Sequence, residues 1–266
     1  MTPRARARTT ALLAIGGLSA ALLASLLAAP AAPATPAAGP APGPAPLAGM
    51  VIALDPGHQL GNANPKFADE MAQTRFNGYE TKACNTTGTE TASGYAESTF
   101  NWRVARYLKV RLRQLGAKVK MTRDGNSYSK WGPCVWDRGK FGAKVGADLL
   151  VSIHADGAPG AGGGFFIFVP SVIDGWTDDI AGPSQRMGKR MLRAMADAGA
   201  SVSAYMDPPL VVTPTLSTLN FSDVPAVLVE LGNMRDPGDA ARMTSRDGQK
   251  QYADWLLRGI RAALRR

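Results

Sequence analysis

The sequence predicts an α/β protein with a single domain, built on a sheet of about six mostly parallel strands with helices on both faces. Short apolar runs alternate along the chain with longer segments of helical periodicity, which is the pattern of strand and helix units in α/β proteins. About 218 residues follow position 48, and this length suits one domain with a substantial core. The same alternation is compatible with an antiparallel strand at one edge of the sheet.

The individual elements are assigned from these runs. Strands are predicted at 50–54, 117–121, 148–153, 165–169, 210–213 and 226–229. Helices are predicted at 98–115, 136–145, 184–198 and 248–264. In the first helix, apolar side chains from Phe100 to Leu115 recur on one face while most arginines lie elsewhere, and Gly116 ends it.

The 38 residues from 59 to 96 follow neither the strand nor the helix period. A stretch of this length is too long for an ordinary connection between two elements. We therefore expect a lid or a hairpin inserted between the first strand and the first helix.

The N-terminal region has the composition of targeting sequence. Arg4, Arg6 and Arg8 precede an almost wholly apolar stretch at 11–29, and Ala-Pro-Ala steps follow. We interpret residues 1–34 as a signal peptide, 35–48 as an Ala/Pro-rich linker and 49–266 as the folded domain. A retained membrane anchor is the alternative, because 19 uncharged residues approach the ~20 of a spanning helix.

The charge of the chain is basic. The formal net charge is +9, and loss of the three N-terminal arginines leaves +6. A basic balance suits an anionic polymer. Because no nucleic-acid-binding motif is present and export is predicted, we expect a wall polymer rather than nucleic acid as the partner.

Two cysteines are present, Cys84 and Cys134. In an exported protein they are expected to form a disulfide, and the alternative is a pair of unbonded, partly buried thiols. The bond would attach the 59–96 segment to the loop before the second predicted helix.

Both histidines of the chain lie just past the carboxyl ends of predicted strands. His58 comes after VIALDPG, and His154 comes after DLLVSI. Open α/β sheets bind ligands at the carboxyl ends of their strands. A single histidine is more often a hydrogen-bonded structural residue, but the placement of both at one edge favours a shared site.

Two glutamates are predicted at the same edge. Glu97 directly precedes the helix predicted from Ser98, where a carboxylate would also simply favour the helix dipole. Glu230 ends the apolar run VPAVLVE, where an ionised carboxylate is costly without a partner. Two imidazoles and one carboxylate are typical of catalytic zinc (Zn2+), and a second carboxylate can take the proton of an attacking water.

Four segments resemble the zinc-dependent N-acetylmuramoyl-L-alanine amidases of the amidase 3 family: DPGH at 55–58, AEST at 96–99, ADLLVSIHAD at 147–156 and PAVLVELGNMRD at 225–236. The resemblance extends from residue 50 to about 265. It implies that His58, Glu97 and His154 bind the zinc and that Glu230 is the catalytic residue. It also implies hydrolysis of the amide bond between N-acetylmuramic acid and the L-alanine of the peptidoglycan stem peptide.

Further expectations follow from this resemblance. Peptidoglycan is the expected partner, and the expected location is secreted, in the bacterial cell wall or periplasm. We expect a monomer without stable membrane contact if the signal is cleaved. Residues 122–124 and Arg138 also match family positions and are interpreted as structural, whereas Asn233 replaces an aromatic residue found in many relatives.

Two other functions remain open at this point. A zinc peptidase that cuts within the stem peptide would use the same ligand set. A non-catalytic wall-binding protein on an amidase scaffold is a third possibility, although the presence of all four polar groups argues against it.

Overall fold

The structure is a computed structural model that describes residues 45–265. The predicted signal peptide and residues 35–44 of the predicted linker lie outside the described residues. Leu47, in the remainder of the predicted linker, is buried, and its N–H donates to the carbonyl of Leu115 at 2.8 Å. Leu47, although assigned to the linker, therefore packs against the domain. Between residues 45 and 265, no helix is both long and apolar enough to cross a membrane.

Eight strands and seven α-helices are present between residues 45 and 265. The strands are β1 (Val51–Pro56), β2 (Thr74–Phe76), β3 (Thr81–Ala83), β4 (Lys118–Met121), β5 (Leu149–Asp156), β6 (Phe166–Pro170), β7 (Leu210–Thr213) and β8 (Ala226–Asn233). The helices are α1 (Ala68–Ala72), α2 (Glu97–Gln114), α3 (Val135–Lys144), α4 (Ala181–Asp197), α5 (Ser217–Asn220), α6 (Pro237–Thr244) and α7 (Arg246–Leu264).

The main sheet has six strands in the order β4-β1-β5-β8-β6-β7. The first four strands are parallel to one another, β6 is antiparallel to β8, and β7 is parallel to β6. The predicted six-stranded, mostly parallel sheet is therefore confirmed, with its antiparallel part at one edge. Consequently, the carboxyl ends of β1, β5 and β8 meet at the same edge.

The core lies on both faces of this sheet because successive strand residues point to opposite sides. Leu149, Val151 and Ile153 pack with helices α2, α4 and α7, whereas Leu150 packs on the side of α3 and α5. Leu108 of α2 is fully buried against the first face. Burial of one such leucine side chain contributes ~1.5–3 kcal/mol, so the sheet is held mainly by apolar packing.

The 59–96 segment contains a hairpin, one of the two alternatives expected from the sequence. Strands β2 and β3 pair in antiparallel register, with Arg75 opposite Lys82. The hairpin is attached to α5, because Asn77 Nδ2 donates to Ser217 Oγ at 3.0 Å and Asn220 Nδ2 donates to the Asn77 carbonyl at 3.1 Å. It therefore forms one wall beside the carboxyl edge of the sheet.

The predicted disulfide between Cys84 and Cys134 is present, and both residues are buried. Cys84 directly follows β3, and Cys134 directly precedes α3. The Val135 N–H also donates to the Cys84 carbonyl at 2.7 Å. The end of the hairpin is thus fixed covalently to the start of α3.

Replacing Cys84 and Cys134 together by alanine should lower the free energy of unfolding by about 4 kcal/mol, because the disulfide closes a loop with a sequence separation of 50 residues. Urea unfolding of the variant and of the wild type, with and without reductant, measures this difference. Reduced wild type should match the variant. A change below about 1 kcal/mol would contradict the expected role of the bond.

Candidate metal centre

The carboxyl edge of the sheet brings together the four residues singled out in the sequence. His58 lies two residues beyond β1, His154 lies within β5, Glu97 is the first residue of α2, and Glu230 lies within β8. His154 and Glu230 are direct neighbours in the parallel register of β5 and β8. All four residues therefore occupy one edge of the sheet, although His58 and Glu230 are 172 positions apart in sequence.

His58, Glu97 and His154 form a compact cluster. Nε2 of His58 lies 3.2 Å from Oε2 of Glu97, and Nδ1 of His154 lies 3.0 Å from Oε1 of Glu97. One nitrogen or oxygen from each of the three residues can be chosen so that all lie within 4.8 Å of one another. Neighbouring ligands of a four-coordinate zinc ion are ~3.3 Å apart for bonds of ~2.0–2.1 Å. The donor set and its spacing therefore fit zinc.

His58 is held by its backbone and by its second ring nitrogen. Its φ of 56° lies in the left-handed region, which is uncommon for a residue other than glycine. Nδ1 lies 3.0 Å from the Thr86 carbonyl, which can only accept, so Nδ1 carries the proton and Nε2 faces Glu97. Asn62 Nδ2 donates to the same carbonyl at 2.8 Å and fixes its position.

The Glu97 carboxylate is fixed by several donors. Oε1 accepts from Asn101 Nδ2 and from the Ala155 N–H, each at 3.1 Å, and Oε2 accepts from the Thr89 N–H at 3.0 Å. Burial alone would raise the pKa of Glu97, but the two imidazoles beside it hold this pKa well below its ordinary value. Glu97 is therefore an ionised group at the centre of the cluster.

The two imidazoles have different environments. Burial alone would lower the pKa of His58, but the Glu97 carboxylate raises it overall. Burial dominates for His154 and lowers its pKa despite the same carboxylate. Neutral imidazole is the form that binds metal ions, and the lowered pKa of His154 favours that form.

Two glycines, which have no side chain, make room for the cluster. A Cβ atom on Gly57 would lie 2.2 Å from Cε1 of His154, and a Cβ atom on Gly88 would lie 2.7 Å from Oε2 of Glu97. Gly88 also has a φ of 81°, which other residues rarely adopt. Only the first of these positions is part of a recognisable sequence motif, DPGH.

Beneath His58, the fully buried Asp55 carboxylate is paired with Arg138. Oδ1 of Asp55 accepts from Arg138 Nη1 and from Thr122 Oγ1, each at 2.6 Å, and Oδ2 accepts from Ser152 Oγ at 2.7 Å. Burial alone would raise the pKa of Asp55, but Arg138 and the two hydroxyl groups lower it overall. The carboxylate therefore stays charged inside the protein.

Two buried arginines bind the backbone that carries His58. Arg138 donates to the carbonyls of Pro56 and His58 at 2.9 Å each. Arg123 donates to the carbonyls of Pro56 and Ser98 at 2.8 Å each, and so connects this turn to α2. These contacts support the structural interpretation of both arginines.

Glu230 differs from Glu97 and Asp55 in its hydrogen bonding. Its Oε2 is buried and has no hydrogen-bond partner among the described residues. Burial and the carboxylates of Glu97 and Asp156 raise the pKa of Glu230 well above its ordinary value. Asp156 itself accepts from the Tyr205 hydroxyl at 2.8 Å. Unpaired buried oxygens are rare in folded proteins, and this one lies beside the His58 cluster.

A cleft of about 350 Å³ opens beside the cluster, and both histidines line it. Lys82 of the hairpin lies along one side, and Thr215 and Ser217 lie in the segment before and at the start of α5. A larger groove of about 590 Å³ contains neither histidine and lies beside the carboxyl-terminal parts of α4 and α7. Because both candidate histidine ligands line the smaller cleft, we treat that cleft as the functional one.

Comparison with known proteins defines the family. Residues 52–262 match the family model for N-acetylmuramoyl-L-alanine amidase of the amidase 3 type. The chain is 36% identical over 215 residues to the N-acetylmuramoyl-L-alanine amidase Rv3717 of Mycobacterium tuberculosis, which covers 80% of this chain and 86% of that protein. This chain belongs to the amidase 3 family of N-acetylmuramoyl-L-alanine amidases.

Two solved structures are similar along nearly their whole length. The apo form of the amidase Ami1 from Mycobacterium abscessus has a TM-score of 0.75 and 37% identity, and the match spans 82% of this chain and 100% of that chain. Ami1 from Mycobacterium smegmatis has a TM-score of 0.73 and 34% identity, and covers 80% and 96%. The architecture described above is therefore that of the amidases.

Replacing Arg138 by methionine should destabilise the protein by about 3–5 kcal/mol at pH 7, because it leaves the Asp55 carboxylate buried without its cation. The wild-type pKa of Asp55 is lowered, so its stabilising contribution is present above pH ~4 and is lost as the pH falls through the folded-state pKa. In the variant the pKa of Asp55 should rise. Lowering the pH should therefore reduce the difference in the free energy of unfolding between the variant and the wild type.

Urea unfolding between pH 7 and pH 3 measures both effects. Arg106→Met, which changes an exposed arginine on α2, is the matched control and should shift stability by less than about 0.5 kcal/mol. A difference between Arg138→Met and wild type that does not change with pH would contradict the assigned ion pair.

Proposed function

We propose that this chain is a zinc-dependent N-acetylmuramoyl-L-alanine amidase that hydrolyses the bond between N-acetylmuramic acid and the L-alanine of the peptidoglycan stem peptide. The observation that carries this proposal is the His58, Glu97 and His154 cluster with Glu230 beside it, whose Oε2 atom has no hydrogen-bond partner among the described residues. The membership of the chain in the amidase family supports the choice of substrate and bond.

In this proposal His58, Glu97 and His154 hold the zinc ion. When bound, zinc lowers the pKa of a coordinated water to near 7 and polarises the scissile carbonyl. The protein supplies ligands that are already oriented, because Thr86 fixes the ring of His58 and three donors fix the carboxylate of Glu97. Little rearrangement is then needed for metal binding.

Glu230 is proposed as the general base and acid. An amide nitrogen is a poor leaving group unless it receives a proton, so one group must take a proton from the attacking water and return it to nitrogen. The Oε2 atom of Glu230 has no competing hydrogen bond among residues 45–265. The pKa of Glu230 is shifted toward neutral pH. A pKa shifted in this direction suits a group that both accepts and donates a proton.

The proposed setting is the bacterial wall. The N-terminal composition and the wall amidases to which this chain is similar support action outside the cytoplasm, in the wall or periplasm. We propose a monomer that contacts peptidoglycan through the domain itself and makes no stable membrane contact once the signal is removed. The net charge of +6 that remains without the three N-terminal arginines suits association with an anionic polymer.

Digestion of purified peptidoglycan with the zinc-loaded protein should release complete stem peptides that begin with L-alanine. The sugar chains should retain muramic acid with a free lactyl carboxyl group. Mass spectrometry of the products distinguishes the three functions. Shortened peptides still attached to sugar would indicate a peptidase, and wall binding without any cleavage would indicate a non-catalytic protein.

Replacing Glu230 by glutamine should lower kcat by about 10²–10⁴-fold and leave about one zinc per chain, because the amide can neither take nor return the proton. His154→Ala should instead lose the metal. Metal analysis and turnover are measured on the same preparations, with Glu70→Gln on α1 as the control that retains both. Turnover at the wild-type rate in the Glu230 variant would rule out this residue as the base.

A further inference from the structure

The cleft beside the candidate metal centre is lined by basic rather than acidic side chains. Its ionisable residues are His58, His154, Lys82 and Arg138, and the described residues that line it include no aspartate or glutamate. A cleft of this kind favours a substrate with a negative charge on the part that enters it. The two imidazoles belong to the metal centre, which leaves Lys82 and Arg138 as groups for recognising that charge.

Arg138 cannot recognise a substrate because all three of its guanidinium nitrogens are already engaged. Nε donates to the Pro133 carbonyl at 2.8 Å, Nη1 donates to Asp55, and Nη2 donates to the His58 carbonyl. The side chain is also only 2% exposed. The remaining cation on the cleft wall is Lys82.

The Lys82 side chain is accessible to solvent and forms an ion pair with Glu80. Its side chain is 41% exposed, and Nζ lies 2.9 Å from Oε1 of Glu80, whose side chain is 37% exposed. The Oε1 atom itself is buried, but much of both side chains is open to solvent, and such a pair contributes only modest net free energy. A carboxylate of a bound substrate can therefore replace or join Glu80 at Nζ with little loss of existing interactions.

The backbone that carries Lys82 is rigidly supported. The Cys84 disulfide begins two residues further on, and Lys82 pairs with Arg75 across the hairpin. The Arg75 guanidinium lies over the Trp136 ring at 4.8 Å from its centroid. A cation on such a support has a defined position, as recognition of a specific group requires.

The chemistry of the substrate indicates which anion would reach Lys82. The carboxyl group of muramic acid is consumed in the scissile amide, and the sugars themselves are neutral. The nearest free carboxylate therefore belongs to the stem peptide, on its second residue, a glutamate joined through its side chain. Two residues of extended peptide span about 7 Å, so this group can lie within the same cleft.

We infer that Lys82 binds the free α-carboxylate of the second stem-peptide residue and so makes the enzyme selective for peptides that carry this acid over those in which it is a carboxamide. The inference rests on the proposed amidase function, because it assigns the peptide side of the scissile bond to the Lys82 wall of the cleft.

A pair of N-acetylmuramoyl tripeptides that differ only in carboxylate or carboxamide at the second residue tests this selectivity. Wild type should show a kcat/KM about tenfold higher for the carboxylate substrate, as expected for one partly exposed charge-assisted hydrogen bond. Lys82→Gln should bring the ratio close to one by raising KM for that substrate alone. Lys82→Arg should retain most of the preference.

Two further variants separate the charge of Lys82 from other effects. Glu80→Gln removes the competing carboxylate and should preserve or increase the preference, whereas Glu80→Gln combined with Lys82→Gln should abolish it. Lys118→Gln, an exposed change on edge strand β4, should behave as wild type. Equal kcat/KM values in wild type, or an equal loss on both substrates in Lys82→Gln, would overturn the inference.

Binding measurements make the result independent of turnover. The two tripeptides released by cleavage are titrated into the zinc-loaded Glu230→Gln protein, with and without Lys82→Gln, by calorimetry. Tighter binding of the carboxylate form that disappears with Lys82 supports the inference, and equal affinities overturn it. If wild type cleaves neither substrate, the amidase proposal is wrong, and the calorimetric preference alone decides the role of Lys82.

Discussion

The Glu97 carboxylate joins three parts of the chain that lie far apart in sequence. It contacts His58 after β1 and His154 in β5, and it accepts backbone hydrogen bonds from Thr89 and Ala155. A buried anion with too few partners would destabilise the fold, so these donors are needed for folding as well as for the site. Because the same contacts orient the imidazoles, the interactions that keep Glu97 charged also arrange the candidate ligands.

A second buried charge supports this arrangement from below. The Asp55–Arg138 pair fills the space under the turn at 55–58, and Arg138 and Arg123 occupy the carbonyls that the turn leaves unpaired. Burial, together with the charge of the neighbouring Arg138, lowers the pKa of Arg123 to about 9 despite the Asp55 carboxylate. The left-handed conformation of His58 is thus maintained by a polar network, because no apolar contact could satisfy those carbonyls.

Sequence patterns predicted those features that depend on local composition. The six main strands and four long helices follow from apolar periodicity, whereas α1, α5 and α6 have at most eight residues and are too short to show it. Strands β5 and β8 extend beyond the predicted ends because His154 and Glu230, although polar, continue the strand pairing. Asn233 is buried and donates to the Ala158 and Gly162 carbonyls at 2.7 Å, so it fixes the glycine-rich loop, which its sequence position alone could not reveal.

Residues such as Thr86, Asp55 and Lys82 could not be assigned roles from sequence, because their significance comes from contacts across the fold. Thr86 contributes a backbone carbonyl, which any residue could supply, and it matters only because the segment after Cys84 passes beside His58. That segment belongs to the insertion with no clear period, and it has little apolar core of its own. It is fixed by the covalent link, by the small apolar cluster of Cys84, Cys134 and Trp136, and by a few hydrogen bonds. The hairpin and the His58 ring consequently depend on the same attachment point.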